Sequence, residues 1–310
     1  MTARLRAAVI GVGYLGKFHA QKYAGRDDVD LVAVVDSDLV RAGEVAQAQR
    51  TRAESDYRHL FGAVDCASLA VPTPLHFAIA ADLLEHGIDV LVEKPMTENV
   101  ADGRRLVDIA ERGGRILQVG HLERFNPAIR ALAGMIRQPR FIECHRLAPF
   151  GERGTDVDVI LDLMIHDLDV ILSLVGADVQ NVEAVGVPVL TETIDIANAR
   201  LRFTNGCIAN VTASRVAMKR ERKIRLFQSD TYVSVDYGEK HVRVARRQPV
   251  GGTPTITVEE LSLDPGDALL DEIDHFVHAV RSRERPLVDG RTALRALEVA
   301  EQIRANLETA

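Results

Sequence analysis

The chain has 310 residues, 46% hydrophobic and 27% charged, which is the length and balance of two soluble domains with real cores. A formal net charge of -7 with no long basic run argues against nucleic acid or anionic membrane as the main partner, and no apolar run reaches bilayer-spanning length. Cys66, Cys144 and Cys207 stand singly, without metal-ligand spacing, so the reading expects no metal and a reducing, cytoplasmic setting with no signal peptide.

Arg6 to Ile10 reads as a short buried strand. Gly11-Val12-Gly13-Tyr14-Leu15-Gly16 follows, then a helical run from Lys17 to Ala24 and a second apolar strand, Val29 to Val35, ending at Asp36-Ser37-Asp38. Strand, Gly-x-Gly-x-x-Gly, helix, strand and acid in one βαβ unit predict a dinucleotide site. Gly11 permits the tight turn, Gly13 lets a pyrophosphate approach the backbone, and Gly16 lets the helix pack close to the strand. Asp36 stands where an acid bonds the adenosine ribose, and a carboxylate there repels a 2′-phosphate, so NAD is favoured over NADP. Asp38 reads as the cap of a helix from Leu39 to Gln49.

A short helix is predicted over Asp56 to Phe61 and a buried strand over Val64 to Val71, followed by Pro72-Thr73-Pro74-Leu75-His76. Thr73 suits either a cofactor contact or a helix cap, and His76 in the first turn of the next helix suits a structural role. That helix runs from Leu75 to His86. The strand Ile88 to Val92 delivers Glu93-Lys94-Pro95 to the carboxyl edge of the sheet, where open α/β sheets bind their ligands. A helix over Val100 to Arg112 and a strand over Arg115 to Val119 complete a doubly wound parallel sheet. The polar run Gly120 to Pro127, with Arg124 and Asn126, then leads into a helix expected over Ala128 to Ile136.

Beyond this the pattern changes. Strand-like runs at Phe141–Leu147, Val179–Val187, Ile194–Phe203, Cys207–Ser214, Lys223–Gln228, Thr231–Asp236 and His241–Arg246 surround a helix over Asp156 to Val175 and precede helices over Gly266 to Arg283 and Thr292 to Leu307. The expectation is an α/β Rossmann domain over residues 1–122. It is joined to an α+β domain over 123–310 with a large, mostly antiparallel, open-faced sheet, which favours a homo-oligomer. A loop from Pro149 to Thr155 is expected to close over substrate. On the helix Asp156 to Val175, Asp162, His166, Asp169 and Ser173 share a stripe at 100° per residue, extended by Thr155 and Asp158. Asp162 and His166, four apart, suit an acid that orients and tunes an imidazole base. The cationic stretch from Arg215 to Arg225 suits either a sugar-nucleotide diphosphate or a solvated face.

The glycine turn, Pro72 to His76, Glu93-Lys94-Pro95 and the Asp162/His166 pair together resemble the Gfo/Idh/MocA oxidoreductases, although Leu75 stands where that family has Asn. The resemblance implies a Rossmann domain plus an open-sheet domain, NAD as cofactor, and catalysis by Lys94 and His166 with Asp162 nearby. It places the cofactor against Gly11, Val12, Gly13, Tyr14, Leu15, Gly16, Asp36, Ser37, Pro72, Thr73, His76, Glu93 and Lys94. Gly120 to Pro127, Ala213-Ser214-Arg215 and Lys223-Ile224-Arg225 further resemble the UDP-N-acetylglucosamine 3-dehydrogenase branch, which oxidises a sugar hydroxyl to a ketone for an aminotransferase of lipid A or surface-glycan synthesis. That resemblance implies a UDP-sugar substrate held by Arg124, Asn126, Arg215, Asp162 and His166. Another polyol as substrate, the reductive direction, a dinucleotide-binding regulator without turnover, and Lys94 rather than His166 as the base remain open alternatives.

Overall fold

A computed structural model describes residues 3–132, 134–151, 157–250, 253–263 and 266–309. Two compact units result: Met1–Leu122 with Asp267–Leu294, and Glu123–Gly266 with Arg295–Ala310.

The first unit carries β1 (Leu5–Ile10), α1 (Gly16–Ala24), β2 (Val29–Val35), α2 (Leu39–Gln49), β3 (Arg52–Glu54), β4 (Cys66–Leu69), α3 (His76–Glu85), β5 (Asp89–Glu93), α4 (Val100–Gly113) and β6 (Leu117–Gly120). All six strands pair in parallel in the order β3-β2-β1-β4-β5-β6. Apart from the edge strand β3, their interiors are almost wholly buried, which is why they read as short continuous apolar runs rather than alternating ones. β3 was not foreseen, because three residues, Arg-Ala-Glu, on a sheet edge carry almost no hydrophobic signal.

The second unit opens with α5 (Pro127–Arg130), β7 (Phe141–Leu147), a π turn (Ile160–Met164) and α6 (Ile165–Val175). It continues through β8 (Val179–Val187), β9 (Ile196–Phe203), β10 (Ile208–Ser214), β11 (Glu221–Phe227), β12 (Thr231–Asp236), β13 (His241–Val250) and β14 (Thr253–Ser262). After these come α7 (Ala268–Ser282), α8 (Gly290–Ala305) and β15 (Leu307–Thr309). The nine strands form one sheet in the order β14-β13-β12-β11-β7-β10-β9-β8-β15. Pairing is antiparallel except for β7 with β10 and β8 with β15. Buried and part-exposed residues alternate along β9 to β12, so one sheet face is core and the other open.

Several elements differ from expectation. α7 belongs to the first unit rather than to the domain assigned to 123–310, because Ile273, Phe276, Val277 and Val280 share one apolar cluster with Ala7, Val9, Tyr23 and Val34. The boundary between units falls inside α8. α5 is a single turn instead of a helix to Ile136, and Gly134 in the left-handed region (φ 88°) cannot be part of such a helix. β14 was missed, and β13 runs past Arg246 to Val250. Thr155, the start of the helix at Asp156 and most of the Pro149–Thr155 loop lie outside the described residues.

Candidate functional site

The glycine turn sits between β1 and α1, and each of its three glycines meets a different constraint. A Cβ on Gly11, which takes φ 80°, would lie 2.6 Å from the Ala70 carbonyl oxygen, and one on Gly16 would lie 1.8 Å from the Gly11 carbonyl oxygen. A Cβ on Gly13 would meet nothing within 4 Å, so the space above the turn is open for a ligand to approach the backbone. The Lys17, Phe18 and His19 N–H groups donate to the Gly13 and Leu15 carbonyls, so α1 offers a negatively charged ligand the positive end of its dipole rather than a row of free donors.

Asp36 is 7% exposed at the end of β2. Its carboxylate accepts from the Val12 N–H (3.0 Å) and the Asp38 N–H (2.9 Å), which locks the acid to the glycine turn. Arg41, in the first turn of α2, brings Nη1 to 3.4 Å from both Asp36 oxygens and Nη2 to 3.2 Å from Asp38. The sequence reading found no basic residue directly after Asp36. The helix, capped by Asp38 through the Val40 and Arg41 N–H groups, brings one back five residues later. A cleft of about 620 Å³ opens here, with Gly11, Gly13, Tyr14, Leu15, Asp36, Ser37, Pro72 and Leu75 in its wall beside Arg41, Ser55 and Tyr57. An apolar cleft with an anchored acid at one end and an open glycine turn in its wall fits an adenine dinucleotide.

Thr73 opens a 3-10 turn, Thr73–Leu75, and its carbonyl accepts the His76 N–H. His76, expected at the cofactor, is 1% exposed, with Nδ1 2.8 Å from the Pro95 carbonyl and Nε2 2.9 Å from the Val71 carbonyl. Burial lowers its pKa. It braces the Glu93-Lys94-Pro95 segment against the end of β4; its ring nitrogens are spent on the backbone, which accounts for its absence from the cleft wall. Glu93 ends β5, and Lys94 follows it, part-buried. Glu93 Oε1 lies 3.0 Å from His19 Nε2 on α1. Burial alone would raise the Glu93 pKa, but the His19 bond and the nearby Lys94 charge hold it below the usual carboxyl range.

In the second unit, Asp162 lies in the π turn and His166 in the first turn of α6, both part-buried. The stripe read at 100° per residue does not survive the π turn, whose bonds run i to i+5. Asp169, placed on that stripe, is 1% exposed and lies 3.5 Å from Arg124 Nη1. Ser173 is exposed and donates to the Val170 carbonyl (2.7 Å), and Asp158 caps the π turn through the Ile160 and Leu161 N–H groups. The substrate residues foreseen therefore carry protein partners. Arg124, with a side chain 12% exposed, is held by Asp169. Asn126 caps α5, accepting from the Ala128 N–H (3.0 Å) and donating to Glu123 (3.2 Å). Arg215 is 5% exposed, donating to the Val157 carbonyl with Nε 3.7 Å from Asp195. The rest of the cationic stretch behaves as a solvated face: Lys219 pairs with Glu221, Lys223 with Asp236, and Arg225 with Glu143.

Sequence reasoning missed the buried network around Arg146. That guanidinium makes two 2.8 Å bonds to Asp167 and a 3.1 Å bond to Glu123. Burial works against its charge, but Asp167 and Glu123 outweigh it and the pKa is raised. A strand arginine opposite a helix aspartate twenty-one residues later leaves no local pattern to find.

Among the described residues, no helix is long and apolar enough to cross a membrane. A family model described as an oxidoreductase family with an NAD-binding Rossmann fold matches residues 5–121, and a GFO/IDH/MocA C-terminal domain model matches residues 128–234. The UDP-N-acetylglucosamine 3-dehydrogenase of Acidithiobacillus ferrooxidans is 41% identical over 308 residues, covering 98% of this chain and 97% of that protein. A solved structure of that enzyme has a TM-score of 0.93 at 39% identity, covering 99% of this chain and 98% of the other. The scyllo-inositol 2-dehydrogenase (NAD(+)) of Bacillus subtilis is 28% identical over 319 aligned residues, covering 96% and 93% of the two chains. With the glycine turn, the anchored Asp36 and both domain models in place, the chain belongs to the Gfo/Idh/MocA oxidoreductase family, and its first unit is an NAD-binding Rossmann domain.

Proposed function

We propose that this enzyme oxidises the 3-hydroxyl of UDP-N-acetylglucosamine to a ketone. The observation that carries the substrate is the 41% identity to a dehydrogenase of that sugar nucleotide along nearly the whole of both chains. When bound, NAD supplies the hydride acceptor. His166 takes the hydroxyl proton, with Asp162 orienting the imidazole, and Lys94 donates to the same oxygen and stabilises its developing charge. Arg124, held by Asp169, Asn126, held by Glu123, and Arg215, held by the Val157 carbonyl, meet the substrate from these fixed positions. The enzyme works as a homo-oligomer through the open face of its nine-stranded sheet. A cytoplasmic setting is in keeping with three buried cysteines that remain thiols.

The test is NADH formation, followed by absorbance, across UDP-sugars, free sugars and inositols. UDP-N-acetylglucosamine is expected to turn over well above the others; a preference for a free inositol overturns the substrate. Lys94→Ala and His166→Ala are each expected to lower kcat by roughly 10² to 10⁴ while NAD still binds. Near-normal turnover in either variant overturns that residue's role.

A further inference from the structure

The mechanism leaves one buried cluster in the first unit unused. His19 on α1, Glu93 at the end of β5 and Glu272 on α7 each bring a nitrogen or oxygen within 4.8 Å of the others. His19 is fully buried and Glu272 is 1% exposed. Neither Glu272 oxygen has a hydrogen-bond partner, and neither does His19 Nδ1. Two carboxyl groups placed together, Glu93 part-buried and Glu272 out of water without a donor, make a site that is stable with a proton on it and that attracts positive charge.

The strand order places this cluster. Asp36 follows β2, on one side of β1; Glu93 ends β5, on the other side, past β4. A dinucleotide crossing the carboxyl edge of such a sheet with its adenosine at Asp36 carries its second nucleoside over the β4–β5 half. The two oxidation states of that nucleoside differ by one positive charge on the ring.

We propose that His19, Glu93 and Glu272 are the charge partner of the nicotinamide, favouring the cationic ring of NAD+ over the neutral ring of NADH, with Glu272 releasing its proton as the cationic ring arrives. The inference rests on the NAD reading and holds whatever alcohol is oxidised. The groups that face Glu272 permit this. α1 offers His19 and the Tyr23 phenol, which is itself bonded to Ser68. β5 offers Glu93 and, one residue on, Lys94. β6 offers only neutral Gln118, which donates to the Glu272 carbonyl and lies 3.5 Å from His275. On α7 itself, Asp274 is turned to Arg26. Burial first, and the Glu93 charge second, push the Glu272 carboxyl well above the ordinary range, so without the ring it keeps its proton.

The test measures the affinities of NAD+, NADH and ADP-ribose, which lacks the ring, for the wild type and Glu272→Gln across pH. Calorimetry is done in two buffers of different protonation heat. In the wild type, NAD+ binding is expected to release up to one proton and to tighten with pH by up to about tenfold per unit, while NADH and ADP-ribose stay flat. Glu272→Gln, which keeps the shape and removes the ionisation, is expected to abolish that slope and to bind NAD+ about tenfold more weakly at the alkaline end, with ADP-ribose unchanged. Proton release that is absent in the wild type overturns the proposal without recourse to any variant. So does a loss of ADP-ribose affinity that matches the loss of NAD+ affinity. Sugar turnover takes no part in these measurements, so the substrate reading stands or falls separately.

Discussion

Asp167 and Glu272 are both buried acids, at 0% and 1% exposure, yet they solve the problem of burial in opposite ways. Asp167 lies against Arg146 in a two-bond fork with Glu123 alongside, so the acid is answered by a cation in the second unit. Glu272 in the first unit has no donor, and its carboxyl stays neutral. A paired buried charge is a fixed strut; an unpaired buried acid is a group whose charge responds to whatever arrives. The difference separates a domain that holds a framework from one that handles a cofactor of changing charge.

The largest test of this contrast is Arg146→Met. It leaves Asp167 buried and Glu123 part-buried without their cation and should cost roughly 3–5 kcal/mol of stability, seen in chemical or thermal unfolding. Adding Asp167→Leu should recover much of that loss; if the single variant melts like the wild type, the strut is not one.

Next comes Glu272→Gln in the protein without cofactor. The Glu272 pKa is raised on folding, so its stabilising contribution is complete below the ordinary carboxyl value of 4.5 and fades as pH rises toward the folded value. Relative to the Gln variant, the wild type should lose up to about 1.4 kcal/mol per pH unit above that point. Parallel melting-temperature profiles for the two proteins would mean that the Glu272 carboxyl titrates alike in the folded and unfolded chain.

The smallest effect belongs to Arg243→Ala. Arg243 and Glu260 pair across β13 and β14 with side chains 56% and 52% exposed. Loss of this pair should change stability by less than about 1 kcal/mol, and a larger change would mean that exposure does not set the worth of charge pairs here.

What could be read beforehand follows the range of the interactions. The glycine turn, Asp36 and Glu93-Lys94-Pro95 are short motifs at strand ends, and the parallel sheet wrote itself in apolar runs. His76 was legible as a helix-start residue, but its bonds to Pro95 and Val71 depend on two strand ends meeting. Asp162 and His166 were correctly put on one helical segment, while the π turn that holds Asp162 has no periodic signature. β13 and β14 pair over ten positions with Pro249 opposite Pro254, and two prolines in a run argue against a strand unless that run is at a sheet margin. Glu272 lies in a run read only as a helix, and the return of α7 to the first unit is what buries it.

That return has a consequence for synthesis on the ribosome. Residues 267–294 complete the core begun by β1 and α1, with Phe276 and Val277 packed into the same cluster as Val9 and Tyr23. The cofactor domain therefore cannot close when residue 122 emerges. At ordinary translation speeds it waits roughly ten to thirty seconds for its last helix, with an apolar flank open while strands β7 to β14 of the second sheet are being made. A nascent chain released before residue 267 would lack the α7 wall of the NAD domain, so a segment translated late decides whether the first part of the polypeptide becomes a binding site at all.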